Sequence, residues 1–185
     1  MQDKRSKTVT AVELAAVEHA DLEEILKWRN DRELSFTMTA TPMPSTMQQV
    51  ESWYASTNAD RNQALLGIYS QEPKQLIGLF RLMYIDWISR VAELGIYIGP
   101  REFRGSGRGA QSLIQGLHYG FESLNLNKIW LRVISTNLPA IKLYKSLAFV
   151  EEGLLKEHFF AKGEYHDLII MALTRQQFVE NVRGR

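Results

Sequence analysis

The sequence Arg-Gly-Ser-Gly-Arg-Gly at residues 104–109 constrains the fold of this chain more than any other segment. It follows an apolar run, Leu94 to Ile98, that is typical of a buried strand, and it leads into a long amphipathic helix pattern from Arg108. Glycines let the backbone turn so that successive N–H groups point at one anion, and a helix N-terminus adds a favourable dipole. The segment therefore predicts a strand, a phosphate-binding turn and a helix in succession.

Two well-known phosphate-binding loops do not match this turn. A P-loop ends in Gly-Lys followed by Ser or Thr, and the sequence contains no such triplet. The dinucleotide fingerprint Gly-x-Gly-x-x-Gly is not met either, because the glycines stand at positions 105, 107 and 109. The turn predicts a site for another phosphate-bearing ligand.

Length and composition limit the other functions of the chain. With 185 residues, of which 45% are hydrophobic, we expect a single domain over residues 1–185. A net charge of +1 gives no general attraction to nucleic acid or to an anionic membrane. No apolar run approaches the roughly 20 residues that cross a bilayer, and the polar start lacks the apolar core of a signal peptide. We therefore expect a cytoplasmic protein that binds neither nucleic acid nor membrane.

The chain has no cysteine and four histidines. Without cysteine there is no disulfide, no thiolate metal site and no cysteine nucleophile, so group transfer cannot pass through a thioester on the enzyme. The histidines show no metal-ligand spacing and no His-Glu-x-x-His motif. We expect no metal site.

Hydrophobic periodicity and turn residues predict the order of the elements. Before the glycine-rich turn we expect a strand at 8–16, a helix at 22–27 with Asp21 as its cap, a loop at 38–44, a helix from a Ser45–Gln48 capping box to about Thr57, and three antiparallel strands between 64 and 98. After it we expect a helix from Arg108, a strand from Ile129, a helix capped by Asn137, a hairpin over 149–173 and a partly helical tail. Gly116 and Gly120 lie one turn apart on the long helix, which indicates close packing of its backbone against a neighbouring element.

Several spaced motifs together resemble one superfamily. In chain order they are Trp28-Arg29-Asn30, Ala92-Glu93-Leu94-Gly95, the turn at 104–109, Ser135-Thr136-Asn137, Ala140-Ile141-Lys142-Leu143-Tyr144, Leu147-Ala148-Phe149 and Glu152-Gly153-Leu154-Leu155. This set resembles the GNAT superfamily of acyl-CoA-dependent N-acyltransferases, in the branch that contains ribosomal-protein N-terminal, spermidine and amino-sugar nucleotide acetyltransferases. One departure is Ala148, where the family usually has glycine.

The resemblance implies a fold and a donor. The fold is of the α+β class, with a mixed, mostly antiparallel central sheet of about seven strands and about four flanking helices. The donor is acetyl-CoA as a co-substrate, with its pyrophosphate on the turn and its pantetheine arm along the preceding strand. The implied cofactor-binding residues are Ile96, Tyr97, Ile98, Arg104, Gly105, Ser106, Gly107, Arg108, Gly109 and Asn137.

The resemblance also implies a chemistry. Tyr144 is the candidate general acid, because a departing thiolate benefits from a proton donor. Glu93 is the candidate base or amine-orienting group, with a salt-bridged strand carboxylate as the equally weighted alternative and a water chain as another proton acceptor. Direct attack of the amine on the thioester in a ternary complex is the simplest mechanism for a chain without cysteine, with the oxyanion held by a backbone N–H near Tyr97 or Ile98.

The acceptor is less constrained. Arg29 and Asn30, with the loop at 38–46, are the implied acceptor contacts. We expect a protein N-terminus or an amino-sugar nucleotide, the latter suiting Arg29 and aromatic residues such as Trp53. A polyamine is the alternative, although residues 32–50 contain only Glu33 as a carboxylate. A CoA-binding regulatory module without activity is a further alternative, and a homodimer is the candidate assembly.

Overall fold

A computed structural model describes residues 11–38 and 43–184. Its seven strands form one sheet in the order β1-β2-β3-β4-β5-β7-β6. The strands are β1 (Val12–Ala15), β2 (Ala64–Gln71), β3 (Lys74–Asp86), β4 (Val91–Ile98), β5 (Lys128–Ile134), β6 (Val150–Ala161) and β7 (Glu164–Thr174). The expected sheet is therefore confirmed. Of the expected first strand, residues 8–10 lie outside the described ranges.

Six α-helices flank the sheet in the described ranges, where about four were expected. They are α1 (Leu22–Arg29), α2 (Arg32–Thr37), α3 (Met47–Ala59), α4 (Arg108–His118), α5 (Leu138–Ser146) and α6 (Arg175–Asn181). Hydrophobic periodicity does not reveal α2, because six residues cover less than two turns. A π-helical turn, Tyr119–Ser123, extends α4.

The expected capping bonds of two helices were wrong, although α1 begins at Leu22 as predicted. Thr46, not Ser45, caps α3, since its hydroxyl accepts the Gln49 N–H at 3.3 Å and the Gln49 side chain accepts the Thr46 N–H at 2.8 Å. The Asp21 side chain does not cap α1. Its carboxylate instead accepts from the Glu18 N–H and the Tyr69 hydroxyl. Because Ser45 does not cap α3, its hydroxyl can bond to Arg29 at the end of α1.

The two faces of the sheet carry different helices. Leu79 belongs to a core cluster with residues of α1, α2 and α3, whereas its neighbour Phe80 belongs to a cluster with residues of α4, α5 and α6. Alternation along β3 explains this division, because successive side chains of a strand point to opposite faces. The face covered by α1 to α3 is the one that bears the acceptor residues expected from the sequence.

Two glycines set the distance between α4 and the sheet. A Cβ at Gly116 would lie 2.0 Å from Cε2 of Phe80, and a Cβ at Gly120 would lie 2.7 Å from Cδ1 of Ile129. Both values are far below a van der Waals contact. The close packing expected for the pair is thus confirmed, and the neighbours are β3 and β5.

The parallel pair β4 and β5 separates after three residues. Within the described chain, pairing joins Val91 with Lys128, Ala92 with Ile129 and Glu93 with Trp130, and it ends there. From Leu94 to Ile98, β4 remains paired with β3 on one side only. Because alternate N–H and C=O groups of a strand point to opposite edges, this part of β4 presents unpaired backbone groups to the gap.

Ala148 occupies the turn between α5 and β6 with φ of 64°. This left-handed conformation favours glycine, and alanine adopts it at a cost of about 1–2 kcal/mol. The turn geometry that glycine normally provides is therefore retained here by an alanine.

Candidate functional site

A cavity of about 810 Å³ occupies the gap between β4 and β5 and extends over the face of β3. Its lining combines the ends of α1 and α2, the exposed edge of β4, the glycine-rich turn and the start of α5. The sequence-predicted residues that line it are Arg29, Glu93, Ile96, Tyr97, Ile98, Arg104, Gly105, Gly107, Gly109, Asn137 and Tyr144. Asn30, Ser106 and Arg108 are not among the lining residues.

The glycine-rich turn has the geometry of an anion cradle. Gly105 and Gly107 have φ of 70° and 87°, and α4 begins directly after them. Within the described part of the chain, the N–H groups of residues 105–110 donate to no carbonyl or side chain. Unsatisfied N–H groups at the start of a helix, with its dipole behind them, favour a phosphate. The turn therefore has the geometry to hold a phosphate group through its backbone, and its contact with the pyrophosphate of CoA stays a prediction.

The polar side chains of the turn support the backbone itself. Arg104 donates from Nε to the carbonyl of Ile98 at 3.0 Å and from Nη2 to that of Gly99. Ser106 donates to the carbonyl of Phe103 at 2.7 Å and accepts from Nη1 of Arg108 at 2.9 Å. These bonds tie the turn to the end of β4.

Asn137 and Tyr144 stand at opposite ends of the cavity-facing side of α5. The Asn137 side chain caps the helix by accepting the Ala140 N–H at 3.3 Å. Tyr144 is 9% exposed, and its hydroxyl has no hydrogen-bond partner among the described residues. Burial raises the pKa of the Tyr144 phenol to about 12, so the hydroxyl is protonated at neutral pH. It is available as a proton donor in the cavity.

Glu93 is held by an arginine that the sequence did not reveal. Oε1 of Glu93 accepts from Nε of Arg132 at 2.9 Å and from Nη2 at 2.8 Å. Glu93 is 5% exposed and lies on β4, while Arg132 lies on β5 across the gap. The geometry matches the salt-bridged alternative and leaves the carboxylate lining the cavity. A role for Glu93 as base stays a prediction.

Arg29 and Asn30 hold the segment before α3. Asn30 accepts the Ser45 N–H at 2.7 Å and donates to the Ser45 carbonyl at 3.0 Å. Nε of Arg29 donates to the Ser45 hydroxyl at 3.2 Å. Asn30 therefore positions a cavity wall, whereas Arg29 also reaches the cavity. Residues 39–42 of the expected acceptor loop lie outside the described ranges.

Sequence reasoning missed Arg81 and Arg132 as lining residues. Each interrupts an apolar strand, Arg81 between Phe80 and Leu82 and Arg132 between Leu131 and Val133. A charged residue within such a run is a signal for a site. The residue with which such a charge pairs on a neighbouring strand depends on strand register, so the sequence alone does not identify it.

Two features are absent from the described ranges, a metal-binding cluster and a membrane-spanning helix. No group of three or more His, Asp or Glu side chains in residues 11–38 and 43–184 is arranged to hold a metal ion. No described helix combines the length and apolar character needed to span a bilayer.

Comparison with known proteins gives consistent matches. A family model described as an acetyltransferase (GNAT) domain matches residues 12–150. The spermidine N(1)-acetyltransferase of Vibrio cholerae is 34% identical over 168 residues, which span 90% of this chain and 94% of that protein.

Solved structures agree with the sequence matches. The crystal structure of the Vibrio cholerae spermidine N-acetyltransferase with CoA and spermine has a TM-score of 0.86 at 33% identity, and the match covers 91% of this chain and 98% of that one. A dodecameric structure of the Vibrio cholerae enzyme has a TM-score of 0.79 at 33% identity, and the match covers 91% of this chain and 96% of that one. The present chain, with its split sheet, is thus similar in fold to an enzyme whose structure was solved with CoA bound.

Proposed function

We propose an acceptor and a set of residue roles for this chain, which belongs to the acetyltransferase (GNAT) family and is an acetyl-CoA-dependent N-acetyltransferase. These matches favour an active enzyme over the alternative of a CoA-binding regulatory module without activity, which would acetylate no amine in the acceptor panel below. The proposal is that the acceptor is a primary amine that is not a polycation, either an amino-sugar nucleotide or a protein N-terminus.

The charge of the cavity lining is the observation that carries the proposal. Among the described residues, the lining contains four arginines and a single carboxylate, Glu93, and that carboxylate is already paired with Arg132. A polyamine carries several ammonium groups, and each would need a nearby anion to offset the loss of water. An acceptor with one amine and an anionic or neutral remainder fits this lining better.

The residues of the site suit a direct transfer. Acetyl-CoA supplies the thioester, and the turn at 104–109 together with the free edge of β4 would hold its phosphates and its pantetheine arm. The acceptor ammonium loses one proton to Glu93 or to water, and the neutral amine attacks the thioester carbonyl to form a tetrahedral intermediate. The intermediate collapses as the C–S bond breaks and Tyr144 donates its proton to the departing sulfur. The second proton lost by the acceptor nitrogen passes to the Tyr144 oxygen or to water, which leaves the amide, the CoA thiol and a neutral Tyr144.

A polyamine remains the second candidate because of the relatives. The Vibrio cholerae protein with 34% identity acts on spermidine by its name, and its solved complex contains spermine. Assembly is a separate question: the dodecamer of that protein supports self-association of this chain, and a homodimer stays a prediction.

An acceptor panel tests the proposal. Because the chain contains no cysteine, a thiol reagent reports released CoA without background from the protein. The panel contains UDP-glucosamine, glucosamine, a peptide with a free N-terminus, spermidine and spermine, each at several concentrations with saturating acetyl-CoA.

We expect the highest kcat/KM with an amine other than spermidine or spermine. A preference for spermidine or spermine over every other amine would overturn the proposed acceptor and leave the second candidate. Each product is identified by mass, since acetyl-CoA hydrolysis also releases thiol.

A further inference from the structure

Two arginines and a tryptophan converge in the cavity on the face of the sheet away from α4. Arg29 ends α1, Arg81 lies in the middle of β3, and Trp53 lies on α3. The Cζ atoms of both arginines lie 5.3 Å from the centroid of the Trp53 ring. All three side chains line the cavity, so the two guanidinium groups are brought together at one wall.

Neither guanidinium has an acidic partner in the described ranges. The polar partner of Arg29 is the Ser45 hydroxyl at 3.2 Å, and that of Arg81 is Oε1 of Gln63 at 2.8 Å. Nε of Arg81 is buried and has no hydrogen-bond partner among the residues that the structure describes. The other two lining arginines differ, because Arg132 pairs with Glu93 and Arg104 donates to backbone carbonyls.

This arrangement is electrostatically costly in the absence of an anion. Burial lowers the pKa of the Arg81 guanidinium, and the positive charge of Arg29 lowers it further. The ring of Trp53 offsets part of this cost, since the face of an aromatic ring attracts a cation. A buried polar atom without a partner still loses its hydration. An anionic group at this wall would supply the missing acceptor and neutralise the repulsion.

We propose that Arg29 and Arg81 at the Trp53 ring bind an anionic group, a phosphate or a carboxylate, on the acceptor amine. The guanidinium fork matches the oxygen pairs of both groups, which a point charge does not. Binding the anion here would leave the amine of the same molecule in the cavity shared with Glu93 and Tyr144. The inference rests on the proposed function, and it narrows the acceptor to an amine with negative charge.

Matched acceptors and variants test the site. The acceptors form two pairs that differ in one anionic group: glucosamine 6-phosphate with glucosamine, and β-alanine with β-alaninamide. The variants are Arg29→Gln, Arg29→Lys and Arg81→Gln, with Arg101→Gln as the matched control. Arg101 is an exposed arginine that is paired with Glu33 and does not line the cavity.

In the wild type we expect the anionic member of at least one pair to have the lower KM. Arg29→Gln should raise that KM by about 10- to 100-fold, the loss expected for a charge-assisted hydrogen bond, with kcat and the KM for acetyl-CoA nearly unchanged. Arg29→Lys should recover part of the loss, and Arg101→Gln should match the wild type. The pair that responds identifies phosphate or carboxylate.

Equal KM values within both pairs, or an Arg29→Gln variant that discriminates as the wild type does, would overturn the inference. If Arg81→Gln fails to fold by circular dichroism, Arg29→Gln alone decides the outcome. If no amine is acetylated, the proposed function fails, and calorimetric binding of the same four amines to the CoA-bound protein is measured instead. Weaker binding of the anionic amines to Arg29→Gln than to the wild type would then support the site, and no preference for them would overturn it.

Discussion

At the residue scale, the proposed chemistry depends on one hydroxyl, that of Tyr144. The phenol is buried in the cavity wall and its pKa is raised to about 12, so it is a neutral donor throughout the physiological range. Replacing it by phenylalanine removes the proton donor and retains the ring that packs against Phe149. We expect Tyr144→Phe to lower kcat by about 10²-fold, in the range typical of general acid catalysis.

The measurement is steady-state kinetics with the preferred amine, together with the KM for acetyl-CoA. Tyr165→Phe is the control, because Tyr165 is 64% exposed and does not line the cavity. The KM for acetyl-CoA should be the same in both variants. A Tyr144→Phe enzyme as fast as the Tyr165→Phe enzyme would remove the general acid from the mechanism.

At the element scale, the contact between α4 and β3 fixes the turn that precedes α4. Gly116→Ala would place a methyl group 2.0 Å from the ring of Phe80, which is fully buried. Overpacking of this kind costs about 1–3 kcal/mol or more. We expect a clear fall in the free energy of unfolding, measured by urea denaturation followed by circular dichroism.

Gly109→Ala is the matched control on the same helix. The nearest atom to its added Cβ is Cγ1 of Ile98 at 3.8 Å, an ordinary contact. Alanine is also the better helix former by about 1 kcal/mol, so this variant should be as stable as the wild type or more so. Equal losses in both variants would mean that glycine flexibility, not the Phe80 contact, determines stability.

Features that depend on neighbouring residues could be predicted from the sequence, whereas contacts between distant residues could not. Asn137 as a cap, the strand turns and the close packing at Gly116 depend on local patterns, and all were predicted. The pairs Glu93 with Arg132 and Arg29 with Ser45 join residues 39 and 16 positions apart. Such pairs depend on strand register and on loop path, which no local pattern specifies.

The wall formed by Arg29, Arg81 and Trp53, here called the acceptor wall, was also predicted only in part from the sequence. Arg29 was identified through a motif, and Trp53 was noted as one of several aromatics with no preference among them. Only the fold shows that Arg81 joins them at the same ring. That no carboxylate of the described ranges lies at this wall is likewise a property of the assembled site.

At the scale of the whole molecule, the gap between β4 and β5 divides the sheet into two parts joined by three residue pairs. A ligand in the gap would contact both parts, the turn at 104–109 and α5. A ligand that binds only the native state at 100 times its dissociation constant adds about 2.7 kcal/mol. We expect acetyl-CoA and CoA at that concentration to raise the unfolding midpoint by roughly 5 to 10 °C.

Differential scanning fluorimetry measures this shift, with NAD at the same concentration as the control ligand. Gly107→Ala should show a smaller shift with CoA, because its φ of 87° strains any other residue and displaces the N–H groups of the turn. Equal shifts with NAD and CoA, or none with CoA, would contradict a CoA site in the gap.

The free edge of β4 has a consequence for how such proteins diversify. A donor bound along this edge would be contacted by peptide groups, and substitution of a side chain leaves the peptide group unchanged. The acceptor wall consists of side chains from α1, α3 and β3, which substitutions change directly. Related proteins can therefore change, by substitution, from side chains that bind a polycationic acceptor to side chains that bind an anionic one. The backbone groups proposed to bind the donor stay the same.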